Sequence, residues 1–177
     1  MRTIAAAGLL LLPTLSVAQA PAYKPSYELP HGRQIVAIYV GASDCGPCRR
    51  DSLKAAIRAM KPALAKQAGA AGASFAAIGV SLDWEVKNAL TFLEPLGEFD
   101  EVVLGNNWVN SAAIRYVWPD TTRAPGIPQV ILLERTVNPS SDRIEFGPEH
   151  ILGRIINAAA IESWVARGAP IPVAPTP

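Results

Sequence analysis

Only two cysteines occur in the 177 residues, and they stand three positions apart in the run Cys45-Gly46-Pro47-Cys48. Before them lies Gln34-Ile35-Val36-Ala37-Ile38-Tyr39-Val40, a nearly continuous apolar run rich in β-branched residues, which reads as a strand buried on both faces of a sheet. After them, from Pro47, Leu53, Ile57 and Met60 recur at helical spacing while Arg49, Arg50, Lys54 and Arg58 point elsewhere. The pair is therefore placed where a buried strand hands the chain to a helix. At such a junction free backbone N–H groups and the helix dipole stabilise negative charge and favour a thiolate.

A disulfide closing so short a loop adds little as a structural staple. Three uses of the pair remain: redox exchange, a metal site, or an inert disulfide. A metal site needs about four ligands, and beyond the two cysteines the chain offers only His31 and His150 as further soft ligands, so neither a metal nor another cofactor is expected. The order strand, Cys-x-x-Cys, helix favours redox exchange. In that reading Cys45 is the nucleophile and Cys48, one turn later, resolves the mixed disulfide. Between them Gly46 and Pro47 form the redox dipeptide, and Pro47 suits a first helical turn because its missing donor would be unpaired there anyway.

The rest of the chain reads as one α/β domain, residues 34–167. Pro62 is expected to kink or restart the helix that follows the cysteines, and Gly69 to Gly72 to form a loop. Phe75 to Val80 is a second buried strand, Trp84 to Leu93 a helix stopped by Pro95, Glu101 to Leu104 a short strand, and Trp108 to Val117 a helix with Val109, Ala112, Ala113 and Tyr116 on one face. Pro128 to Leu133 is a third strong strand, joined by a turn at Asn138 to Ser141 to an edge strand, Arg143 to Phe146. Pro148 is expected to open a long last helix from Glu149 to Ala166, and residues 168–177 read as a proline-rich disordered tail.

At the other end, Met1-Arg2, the apolar stretch Ile4 to Val17 and Ala18-Gln19-Ala20 have the pattern of a cleaved signal peptide over residues 1–20, with an extended lead-in over 21–33. The apolar stretch is shorter than the roughly 20 residues of a spanning helix. Export, most simply to a periplasm, follows, and so does an oxidising surrounding. The 16 basic and 15 acidic side chains are scattered, which argues against nucleic acid or anionic lipid as partner. No nucleophile elbow supports a Ser-His-Asp hydrolase. Trp84, Trp108, Trp118 and Trp164 read as core or rim residues, and the two histidines as solvated.

The Cys45-Gly46-Pro47-Cys48 run after an apolar strand, with Gly126-Ile127-Pro128 opening a late strand, resembles the thioredoxin superfamily. The added strand and helix between Ser81 and Gly105 resemble the insertion of its exported TlpA-like branch. The resemblance implies a thioredoxin-like fold, a central mixed sheet flanked by helices, and a protein-disulfide reductase. Its partners would be exported proteins with cysteine pairs, recharged by a membrane electron donor. It assigns Pro128 the place of a cis-proline facing the disulfide, with Ile127 beside it to guide the partner backbone, and makes Asp51 a candidate proton shuttle for Cys48. Complementing the positive helix end is the simpler role for Asp51. This chain departs from the pattern at Asp44, where a tryptophan is usual, at Gln129, where a threonine is usual, and at Tyr39, which stands where thioredoxin carries a buried acid. The N-terminal strand and helix of thioredoxin have no counterpart beyond Pro21 to Arg33. An oxidase, an isomerase and a non-catalytic interaction domain remain alternatives.

Overall fold

The computed structural model describes residues 29–172. The signal segment, most of the lead-in and the last five residues lie outside them. Strands run over Gly32–Gly41 (β1), Ser74–Ser81 (β2), Glu101–Val103 (β3), Gln129–Pro139 (β4), Ile144–Phe146 (β5) and His150–Ile156 (β6), and helices over Asp51–Ala70 (α1), Val86–Leu93 (α2) and Ala158–Ala166 (α3). They form an α/β unit around one mixed, six-stranded sheet. β1 pairs in parallel with β2 and β2 with β3, whereas β4 runs antiparallel to β1 and carries β5 and β6 along its other edge.

β1 is central and buried from Gln34 to Ala42, so its run has no polar alternation and each face meets its own core. Ala37 and Tyr39 face α1 and α3, packing with Leu53, Ile57, Leu64, Ile161 and Trp164. Val36, Ile38 and Val40 face the opposite layer, where Ala112, Ala113, Tyr116 and Val117 cover the sheet. No helix among the described residues is long and apolar enough to cross a membrane.

Several sequence expectations are corrected. The segment Glu149 to Ala166 is not one helix: residues 150–156 form β6, and only Ala158–Ala166 is helical. Ile151, Ile155 and Ile156 are β-branched and Gly153 is a poor helix residue, while β4 presents an open edge that this segment hydrogen-bonds, with a bulge at Leu152. Pro148 therefore interrupts an edge strand instead of starting a helix. Asn157, with φ of 77°, accepts the Ala160 N–H at 2.9 Å and starts α3.

Pro62 neither stops nor restarts α1, which runs unbroken through it. The proline is exposed, so the Arg58 carbonyl it leaves without an intrahelical donor faces water. The α-helix also begins later than the pattern suggested, because Pro47–Arg49 is a 3-10 turn and Arg50 is extended with ψ of 134° before Asp51. Pro95 lies inside a 3-10 turn that continues α2 to Leu96. The expected helix from Trp108 to Val117 is a 3-10 turn at Asn107–Val109 followed by a π-helical stretch at Ala113–Val117. Asn110 separates the two by accepting the Ala113 N–H at 2.8 Å.

The part of the expected disordered tail that is described is packed. Ala169 is fully buried, the Trp164 indole donates to the Pro170 carbonyl at 3.0 Å, and the Gln67 side chain holds Gly168, Ala169 and Ile171. His31 and His150 are exposed.

Candidate active site

β1 ends at Gly41, and the chain turns at once, the Cys45 N–H reaching back to the Ala42 carbonyl at 3.3 Å. Cys45 and Cys48 are disulfide-bonded, with Cα atoms 5.2 Å apart. The 3-10 turn at Pro47 makes the pair unequal. Cys48 is completely buried, whereas Cys45 is only half-buried, packed beside the layer that contains Val40 and Ala42. The Cys48 N–H donates both to the Cys45 carbonyl, at 3.0 Å, and to the Cys45 sulfur, at 3.2 Å. A donor aimed at that sulfur favours negative charge on it. The geometry thus gives one sulfur that a partner can approach and one that only its neighbour can reach.

Pro128 and Ile127 come to the same end of the sheet. β1 and β4 are antiparallel with Val40 opposite Gln129, so the residues just before Gln129 lie beside the turn that carries Cys45. The Ile127–Pro128 peptide is cis. Ile127 packs against the same apolar layer as Cys45, and the Pro128 carbonyl accepts the Asn157 N–H at 2.9 Å. Gln129 is buried and donates to the Gly126 carbonyl at 2.9 Å, so its side chain braces the loop from within. Gly46 and Pro47 are exposed between the cysteines, and Asp44, Arg49 and Arg50 are exposed around them.

Asp51 is placed otherwise. Its side chain is 97% exposed and pairs with Lys54 at 2.9 Å. The Lys54 hydrogen bond and charge hold its carboxyl below the ordinary aspartate range. Among the described residues no hydrogen bond joins Asp51 to either cysteine, and its position in the first turn of α1 suits it to complement the helix dipole.

Sequence reasoning missed a buried polar clamp behind Cys45. Asp83, just past β2, accepts both the backbone N–H of Ser43, at 3.2 Å, and its hydroxyl, at 2.5 Å, and it also accepts the Ser81 hydroxyl. Asn110 donates to the Ser81 carbonyl at 3.1 Å and joins the clamp to the π-helical layer. Asp83 thereby fixes the chain two residues before Cys45. Its sequence signal was a carboxylate directly after an otherwise apolar strand, where a charge is kept only if it is hydrogen-bonded. Beside it the surface is apolar: Trp84 is 71% exposed, and Val86, Val109 and Trp118 are exposed too. Of the four tryptophans only Trp164 belongs to the core.

Among the described residues no group of three or more His, Cys, Asp or Glu side chains gathers as a metal site. In comparisons with protein-family models, curated proteins and solved structures, nothing matches this chain.

Proposed function

We propose that this protein is an exported thiol-disulfide oxidoreductase of thioredoxin-like fold that reduces disulfides in other exported proteins. The observation that carries the reading is the asymmetry of the Cys45–Cys48 disulfide at a strand-to-helix junction, with an approachable Cys45 sulfur that accepts an N–H and a fully buried Cys48. The mixed sheet, with parallel β1, β2 and β3 and antiparallel β4 and β6, supports the fold.

In the reduced protein the Cys45 thiolate attacks one sulfur of a partner disulfide, a Cys45–partner bond forms, and the partner's other sulfur leaves as a thiolate. Cys48, deprotonated, then attacks the Cys45 sulfur, the partner's second thiolate leaves, and the Cys45–Cys48 disulfide re-forms. Two electrons pass to the partner, and a membrane donor of dithiol type returns them. Ile127 and Pro128, at the same sheet end, guide the partner chain. The Gly46-Pro47 dipeptide resembles that of reducing members of the superfamily, which sets the preferred direction over oxidase or isomerase.

A non-catalytic interaction domain is the second reading, and the apolar surface of Trp84, Val86, Val109 and Trp118 favours it. Trapping separates the two. With Cys48→Ala, mixed disulfides between Cys45 and exported proteins accumulate and are released by a small thiol. With Cys45→Ala none form. Absence of covalent adducts from Cys48→Ala contradicts the exchange reading.

A further inference from the structure

β1, β2 and β3 run parallel, so the segments that follow them emerge at one end of the sheet, and the segment before antiparallel β4 meets them there. Cys45 follows β1, Trp84 follows β2, Trp108 and Val109 follow β3, and Ile127 precedes β4. The strand order β3-β2-β1-β4 puts Cys45 between the loop of Trp108 on one side and Ile127 on the other. Cys45, Trp108 and Ile127 are all partly buried against the same apolar layer. Beyond Trp108 the surface stays apolar, with Val109 59% and Trp118 48% exposed. Exposed apolar side chains scattered singly are ordinary, but a group gathered beside an approachable sulfur is not.

This aromatic rim is held in place. Gly105, Asn106 and Asn107 have φ of 78°, 56° and 48°, so three consecutive residues are left-handed, a conformation that residues other than glycine adopt at a cost. The Asn107 side chain accepts the Trp108 N–H at 2.7 Å. The Trp118 indole donates to the Trp108 carbonyl at 2.6 Å, and the two rings meet edge to face with centroids 6.0 Å apart. Asp83 ties this loop to the turn of Cys45: its carbonyl accepts the Asn107 N–H at 3.3 Å, while its carboxylate accepts the Ser43 N–H at 3.2 Å. Between Trp108 and Trp118 the only charged residue, Arg115, pairs with Glu149 at 3.0 Å. The surface on this side of Cys45 is therefore neutral, aromatic and fixed relative to the sulfur.

We propose that Trp108, Val109 and Trp118 form a subsite beside Cys45 for a large apolar side chain of the partner, so that the protein selects extended polypeptide segments in which an aromatic residue stands close to the cysteine. The proposal rests on the exchange reading above and names its substrate class. A partner sulfur bonded to Cys45 holds its chain over this end of the sheet, and the residues flanking that sulfur then lie over Ile127 on one side and over the tryptophan rim on the other. A neutral rim with its one cation already paired favours an apolar neighbour over a charged one. Burial of that side chain stabilises the encounter and the mixed disulfide, and so speeds the attack of Cys45.

The test uses two peptides of equal length, each with one cysteine held as a mixed disulfide with thionitrobenzoate, one flanking its cysteine with tryptophan and the other with alanine. The Cys45 thiolate of the reduced protein attacks the peptide sulfur, the Cys45–peptide bond forms, and thionitrobenzoate leaves with the electron pair and is followed by its colour. Cys48 then attacks the Cys45 sulfur, and the peptide leaves as a thiolate. The tryptophan peptide is expected to react about tenfold faster than the alanine peptide. Trp118→Ala is expected to bring that ratio near one, and Val109→Ser, which removes an exposed side chain, to lower it in the same direction. Phe146→Ser removes a similarly exposed apolar side chain from β5, at the far end of the sheet, and is expected to keep the ratio. Equal rates for the two peptides overturn the proposal. So does a ratio that survives both rim variants, or one that Phe146→Ser abolishes as well, since the preference would then be general stickiness. Release from both peptides without preference sinks the subsite alone, whereas release no faster than with Cys45→Ala sinks the exchange reading and the subsite with it.

Discussion

At the scale of single residues, the proposed exchange depends on holding Cys45 where a partner can reach it, and Asp83 fixes the turn just before it. Asp83→Ala leaves the Ser43 N–H and the Ser43 and Ser81 hydroxyls without their acceptor. A loss of about 1–3 kcal/mol is expected in denaturant unfolding, with slower disulfide exchange because the turn before Cys45 loosens. Asp83→Asn keeps one oxygen acceptor and is expected to lose less of both. Asp51→Ala, in contrast, removes an exposed group paired with Lys54 and is expected to leave the exchange rate close to wild type. A large fall in rate for Asp51→Ala would restore the proton-shuttle role. The cysteine pair and the late proline were legible in the sequence because their types and spacing are local facts. The clamp was not, because Ser43, Ser81, Asp83 and Asn110 come together only through the ends of two paired strands and a following loop.

At the scale of elements, the last third of the chain shows what a one-dimensional pattern leaves open. Ile151, Ile155, Ala158 and Ile161 fit a helical stripe, but β4 needed a partner along its free edge, and pairing there decided the conformation of residues 150–156. Asn157 ends that strand and caps α3, with its backbone in a region that alanine adopts poorly. Asn157→Ala is expected to cost about 1–2 kcal/mol in thermal or denaturant unfolding, and Asn157→Gly only a few tenths. A smaller cost for Ala than for Gly would mean that the cap does not start this helix. β6 is also tied to the turn after the π-helical stretch, where Asp120 pairs with Arg154 at 3.2 Å and Arg123 at 3.4 Å. Hydrogen bonds from Thr122, and then these guanidinium groups, depress the Asp120 pKa. A depressed carboxyl contributes stability that is complete above its ordinary value and fades as pH falls through the lowered one. Asp120→Asn should therefore flatten that part of the acid unfolding curve and leave the neutral part less stable.

At the scale of the whole molecule, one sheet carries two separate apolar layers, and the disulfide sits where β1 delivers the chain from between them. The described C-terminal residues, 168–172, belong to this body. Deleting the chain after Gly168 uncovers the pocket of Ala169, leaves the Trp164 indole without its acceptor, and takes from the Gln67 amide its hydrogen bonds to Ala169 and Ile171. About 1–3 kcal/mol of stability is expected to be lost, against nothing if the segment were a free tail. Proline content suggested disorder there because composition does not register that Gln67 on α1 waits to hydrogen-bond three backbone groups. The alternation of strands and helices was legible as an α/β order, since buried strands and amphipathic helices differ in period. The sheet order, with β5 and β6 sharing one edge of β4, was not, because it depends on contacts distant in sequence. The most direct measurement of the proposed exchange is the rate at which excess dithiothreitol reduces a protein disulfide in the presence of the purified protein, compared with Cys45→Ala. The expected result is acceleration by the wild-type protein and the uncatalysed rate with Cys45→Ala; equal rates for the two would contradict disulfide exchange at Cys45.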